Sequence, residues 1–162
     1  MSWAAFASTD VLAQIQGSGL AHLISKSDHM VGASLQVLHI FGFILLLSSL
    51  SVIGLRIFGL ALKQQPLTKV ARDSTRLIWI GLAVAVASGT LMFISGARHY
   101  GHNWAFELKM ILLVTAVVLQ VALLRRVTAT DSPHPILAKA SVALSLIFWF
   151  SVGLAGRMIG FI

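Results

Sequence analysis

Cysteine is absent from the 162-residue chain. That excludes disulfides, thiolate-held metals and covalent attachment of a c-type haem through Cys-x-x-Cys-His, so any haem would be held non-covalently. Charge is scarce too: Asp, Glu, Lys and Arg make up 10% of the residues, against roughly 25% in ordinary soluble domains. Proline occurs three times, as Pro66, Pro133 and Pro135. All three fall in the polar stretches "LKQQPLTK" and "TATDSPHPIL", where each is expected to break a helix. There is no cysteine nucleophile, and no serine stands in an elbow motif with a histidine and an acid nearby in sequence. A self-contained enzyme is therefore not expected.

What the chain has in plenty is apolar sequence, 57% of the residues. Crossing a hydrocarbon core of about 30 Å takes roughly 20 helical residues, and four windows suit it: Val31–Arg56, Arg76–Arg98, Trp104–Leu124 and Ala138–Ile162. With their flanking turns these give spans of about 31–60, 76–99, 104–126 and 137–161. Glu107 and Lys109 near the start of the third are expected at the headgroup boundary or facing the protein interior. The fold expected is all-α, a single domain over 1–162 built as a four-transmembrane-helix bundle. Ahead of it, residues 9–26 read as a short amphipathic surface helix with Thr9 or Asp10 as N-cap, weakened by Gly17 and Gly19. No internal repeat is evident, and two helical hairpins are the natural folding units.

The formal net charge is +7, but its distribution argues against nucleic acid. Arg56, Lys63, Lys69, Arg72 and Arg76 lie between the first two spans, and Arg125, Arg126 and Lys139 between the last two. The positive-inside rule puts both loops in the cytoplasm and both termini on the other side. The N-terminal "MSWAAFASTDVLAQ" lacks the basic and continuous apolar regions of a cleavable signal, so the first span is expected to act as its own insertion signal. A multi-pass protein of a bacterial inner membrane with periplasmic termini is the expectation. Trp79 and Trp104 fall near the interfaces, as an aromatic belt requires.

The run "LQVLHIFGFILLLSSL" holds one group that titrates near neutrality, His39, about 12 Å into the first span. Unpartnered there, an imidazole costs a few kcal/mol. Two readings stand: a neutral core histidine bonded to a Ser, Thr or backbone carbonyl of another span, with Thr90 and Ser95 as candidates, or an axial ligand to a b-type haem. His99, at the end of the second span, is the candidate second ligand. Counting from Arg56 and Arg76 leaves the two histidines mismatched in height by about 9 Å, and anchoring the first span at Leu60 nearly removes the difference. His102, His29 and His22 are fallback ligands; His134, between two prolines, is read as a bystander. Arg98, Lys109 and Arg157 either bind ligand carboxylates such as haem propionates, or Glu107 neutralises Lys109 or Arg157 in a structural pair. Gly81, Ala85 and Gly89 form a small-residue stripe that admits a neighbouring backbone or a flat ligand, and Gly42 is ambiguous in the same way. Met92, Met110 and Met158 form no tight copper-type cluster with histidine. Trp149 either lines a cofactor pocket or faces lipid.

The strings "SLQVLHIFGFILLLSSLSVIGLRIFG", "WIGLAVAVASGTLMF", "HYGHNWAFELKMILL" and "ASVALSLIFWFSVGLAGRMIGF" resemble the four segments of a bacterial family of small four-helix membrane proteins known mainly as a domain of unknown function. The resemblance runs from about Ala13 to the end of the chain. It maps the family pattern onto His39, Arg56, Tyr100, Asn103, Phe106, Lys109 and Arg157, with departures at Trp104, where proline is usual, and Glu107, where a basic residue is usual. The architecture is distantly like that of four-helix cytochrome b and copper-resistance D-type membrane proteins. Three functions are carried forward. The first is a haem b-binding electron-transfer subunit linking a non-cytoplasmic redox partner to quinone or another membrane redox protein. The others are a cofactor-free accessory or anchor subunit of a larger complex, and a small-ligand or ion transport protein.

Overall fold

The computed structural model describes residues 9–19, 21, 29–101, 103–129 and 135–161, with the side chains of 9, 10, 29, 98, 99, 127–129 and 135 outside the description. Six helices whose bounds fall among the described residues follow one another: α1 (Thr9–Gln16), α2 (His29–Ile57), α3 (Leu67–Ser95), α4 (Ala97–Gly101), α5 (Trp104–Ala129) and α6 (Pro135–Met158). Four of them, α2, α3, α5 and α6, are long and apolar enough to cross a membrane. No strand occurs among the described residues. The closest packing lies within the hairpins α2–α3 and α5–α6, and α2 against α6 and α3 against α5 close the ring. α1 and α4 mark the upper end of the bundle.

The inward face of each long helix repeats at intervals of three and four residues. On α3 it runs Leu67, Ala71, Ser74, Ile78, Gly81, Ala85 and Ser88, all buried. On α6 it runs Ala138, Val142, Ser145, Trp149, Val152 and Ala155, with Ile159 buried just past the helix end. Such a 3.5-residue seam keeps two helices in register along a shallow left-handed crossing. The opposite faces are as apolar as the core: Val37, Phe41 and Ile44 on α2, Ile111, Val114 and Val118 on α5, and Ile147, Phe150 and Leu154 on α6 are exposed. A helix that is hydrophobic all round and half uncovered is matched to lipid. Trp79 and Trp104 are also exposed, as a belt position requires.

The second long helix starts at Leu67, well before the expected start of its span at 76. Pro66 ends the preceding loop without costing a helical hydrogen bond, and Leu67, Val70, Ala71 and Ser74 are buried while Lys69, Arg72, Asp73 and Arg76 are exposed. The polar run is thus the amphipathic foot of α3. The loop before it is held on both sides. Leu60 N–H donates to Leu55 O at 2.9 Å and Gly59 N–H to Arg56 O at 3.1 Å, with Gly59 at φ +71°, a Schellman ending for α2. Arg56 Nε donates to Gln65 O at 2.7 Å.

α1 is shorter than expected. It gives way to a turn at Gly17 and Ser18, Gly19 and Ala21 are helical again, and residue 20 and residues 22–28, which take in the rest of the expected 9–26 helix, lie outside the described residues. It packs over the upper end, with Leu12 buried against Gly101 of α4.

Candidate functional site

In the upper half of the bundle all four long helices approach one set of polar groups. His39 projects from the inward seam of α2. Its Nδ1–H donates to the carbonyl oxygen of Ala85 on α3 at 2.7 Å, because a carbonyl can only accept. Ser88 Oγ lies 3.3 Å from the same nitrogen and donates its own proton to Val84 O at 2.6 Å. The expected partners Thr90 and Ser95 are not the partners found. Their hydroxyls return to Val86 O and Met92 O within α3, the usual resource of a hydroxyl in an apolar helix. With Nδ1 protonated, a neutral ring carries its lone pair on Nε2, which makes no hydrogen bond among the described residues.

The small-residue stripe admits a neighbouring backbone at one height and a side chain of α2 at another. A Cβ on Gly81 would lie 2.6 Å from Gly42 O and 2.8 Å from Leu46 N, and one on Gly42 would lie 2.8 Å from Ala85 N. Here α2 and α3 touch backbone to backbone, and Gly42 is buried in that crossing. Two turns higher, a Cβ on Gly89 would meet His39 Cε1 at 2.9 Å and Nδ1 at 3.1 Å. At that level the missing side chain makes room for the imidazole.

Lys109 lies on the inward seam of α5, one turn after the fully buried Ala105. It is half-buried, and its methylene and ammonium pass over Gly156 of α6, where a Cβ would lie 3.4 Å from Nζ. The ammonium is within electrostatic reach of His39. Neither Lys109, Glu107 nor Arg157 forms an ion pair among the described residues, so the expected Glu107 pairing is not found. The guanidinium of Arg157 lies instead over the Phe161 ring, 5.1 Å from its centroid.

Above this level, Phe93 stacks on Phe106 at 5.3 Å between centroids, and Tyr100 packs against both. Asn103 is buried, caps α5 by accepting from Ala105 N–H at 3.0 Å, and donates through Nδ2 to Ile159 O, just past the end of α6, at 3.3 Å. His99 and Arg98 fall in α4, beyond the break at Gly96. From Gly89, level with His39, α3 alone rises about 9 Å to Ser95 before α4 begins. The side chains of Arg98, His99 and His29, and all of His22, His102 and His134, lie outside the described residues. Among the described residues no three His, Asp or Glu side chains gather as a metal site.

Sequence reasoning passed over a second polar group, in mid-bundle. Gln120 Oε1 accepts from Ser145 Oγ–H at 2.9 Å and from Trp149 Nε1–H at 3.2 Å. Trp149 is 1% exposed and tilts against Phe43 at 6.3 Å between ring centroids, so it neither faces lipid nor stands beside an open pocket. The available signal was an amide in the otherwise apolar run of α5.

The sequence profile of a family of unknown function, DUF6644, matches residues 15–162, and the chain belongs to that family. No curated protein and no solved structure matches the chain.

Proposed function

We propose that this member of DUF6644 binds haem b in the upper half of its bundle and serves as a membrane electron-transfer subunit, with His39 as an axial ligand. The observation that carries the reading is the hydrogen bond from His39 Nδ1–H to Ala85 O. Metal-ligating histidines characteristically donate their second ring nitrogen to a carbonyl or carboxylate, which fixes the tautomer and orients the free lone pair. Lys109 supports it further. A half-buried ammonium with no counter-ion among the described residues suits a ligand carboxylate, and a haem carries two propionates. Bound there, haem would supply a one-electron carrier. His39 would orient it, Lys109 would hold a carboxylate, and Arg98 and Arg157 would stand as further cations at the upper rim. His99 is the proposed second ligand, reached from α4.

The charged loops at the lower end give the orientation in this reading: a cytoplasmic lower end, periplasmic termini and an inner-membrane location. Electrons would pass between a partner on the upper side and quinone or another membrane redox protein. A second reading, a cofactor-free accessory subunit, draws support from the fact that His39 already has a protein partner and from the close Gly42–Gly81 crossing beneath it.

The test is haem content of purified variants from cells grown with haem available. His39→Ala is expected to lose the cofactor. Lys109→Gln is expected to lower occupancy without changing the spin state of what remains. A full haem complement in His39→Ala would remove His39 as the ligand.

A further inference from the structure

At the lower end the hairpin of α5 and α6 carries a cleft on its lipid side. A cavity of about 120 Å³ lies between the two helices, lined by Leu119, Ala122, Leu123 and Arg126 of α5 and by Ser141 and Leu144 of α6. Leu123 is buried and forms the floor, Leu119 and Ser141 are half-buried, and Ala122, Arg126 and Leu144 are exposed at the rim. The walls are apolar and the two polar groups are unspent. The Arg126 guanidinium, with five N–H donors, has no acceptor among the described residues. Ser141 Oγ makes no hydrogen bond among them either, whereas Ser145 and Ser151 of the same helix donate to Gln120 Oε1 and Ile147 O.

We infer that this cleft binds one anionic glycerophospholipid, with its phosphate on Arg126 and Ser141 and part of an acyl chain in the cavity. Pockets that enclose a whole small molecule run to about 300–1,000 Å³. A cavity of this size therefore holds part of a molecule whose remainder lies outside, and the exposed Val118 and Ile147 make that outside a lipid-facing surface. Arg126 is the last residue of the apolar span Trp104–Arg126, the depth at which hydrocarbon gives way to headgroups. The charge there is of one sign. Arg125 and Lys139 are exposed at the same end, and α5 after Glu107 and the whole of α6 contain no acidic residue; the nearest in sequence, Asp131, lies outside the described residues. A guanidinium pairs bidentately with a phosphate, and basic pockets between spans seat anionic headgroups. Arg126 lies about 25 Å along α5 from Lys109. The lipid site is thus separate from the His39 site, and the inference does not depend on the haem reading.

The test is native mass spectrometry of the delipidated protein in detergent, given equimolar dioleoyl phosphatidylglycerol and dioleoyl phosphatidylcholine. The wild-type chain is expected to retain one phosphatidylglycerol in preference to phosphatidylcholine. Arg126→Gln is expected to bind it about fivefold more weakly, the weight of one arginine against an anionic lipid, while Lys69→Gln, at the exposed foot of α3, binds it as the wild type does. Phosphatidylglycerol carrying a diazirine in its acyl chain is expected to crosslink the wild-type chain at Leu119–Leu123 or Leu144, a readout that needs no variant to fold. Equal retention of the two lipids, unchanged binding in Arg126→Gln, an equal loss in both variants, displacement by millimolar inorganic phosphate, or crosslinks confined to other helices would each overturn the inference.

Discussion

His39 of α2 donates its Nδ1 proton to the backbone carbonyl of Ala85 on α3 at 2.7 Å, and Gly89, one turn further along α3, leaves the space in which the ring lies. The bond fixes the ring's tautomer and the glycine fixes its seat. Together they make an imidazole with one nitrogen committed and the other without a hydrogen bond among the described residues, inside a helix pair that must approach closely for the bond to form.

Gly89→Ala therefore tests the seat without touching the histidine. A new Cβ 2.9 Å from Cε1 forces the ring to move, and overpacking of this kind costs about 1–3 kcal/mol. The variant is expected to lose most of its haem while still folding as a four-helix bundle, which haem extraction beside circular dichroism would read.

Helix approach itself is tested lower down. Gly81→Ala puts a Cβ against the backbone of α2, where no side chain can swing aside, and is expected to destabilise by about 1–3 kcal/mol. Gly32→Ala has nothing within 4 Å of its new Cβ. It should be neutral, or stabilising by up to about 1 kcal/mol through helix propensity. Reversible unfolding in mixed micelles would measure both.

The Gln120–Trp149 bond predicts non-additivity. Gln120→Leu strands the Trp149 indole donor in the core at a cost of about 1–3 kcal/mol, whereas Trp149→Phe removes the donor and leaves a smaller ring. The double variant is expected to be more stable than the sum of the singles predicts. Strict additivity would show that the bond contributes nothing.

Asn103 ties the start of α5 to the end of α6 with one amide. Asn103→Ala loses the cap and the tie and is expected to cost about 1–2 kcal/mol. Asn103→Asp keeps the cap acceptor but loses the donor to Ile159 O, and should fall between. Unfolding midpoints of the three proteins give the order.

The four helices were legible because hydrocarbon imposes length and an unbroken apolar run, and Pro66 and the charged loops mark the hairpins. Which face turns inward was not, since exposed Phe41 and Ile147 are as apolar as buried Leu46 and Val142. Against that background only polar or minimal side chains signal the core, and His39, Gly42, Gly81, Gly89 and Lys109 did. The partner of His39 was missed because Thr90 and Ser95 spend their hydroxyls on their own helix, while a backbone carbonyl leaves no trace in composition. Gln120 was missed because an amide carries no charge. The start of α3 at Leu67 and its break at Gly96 were not legible either, because the foot of α3 is polar on its exposed side and Gly96 stands in an otherwise helical run.

The central claim, that His39 serves a haem, is tested most directly by the absorption spectrum of the wild-type protein. It would be purified in detergent from haem-replete cells, recorded oxidised and then dithionite-reduced, with extracted haem counted per chain. The account predicts a sharp reduced α-band and non-covalent haem in stoichiometric amount. A colourless protein would contradict it, and would leave the His39–Ala85 bond as a strut between two helices.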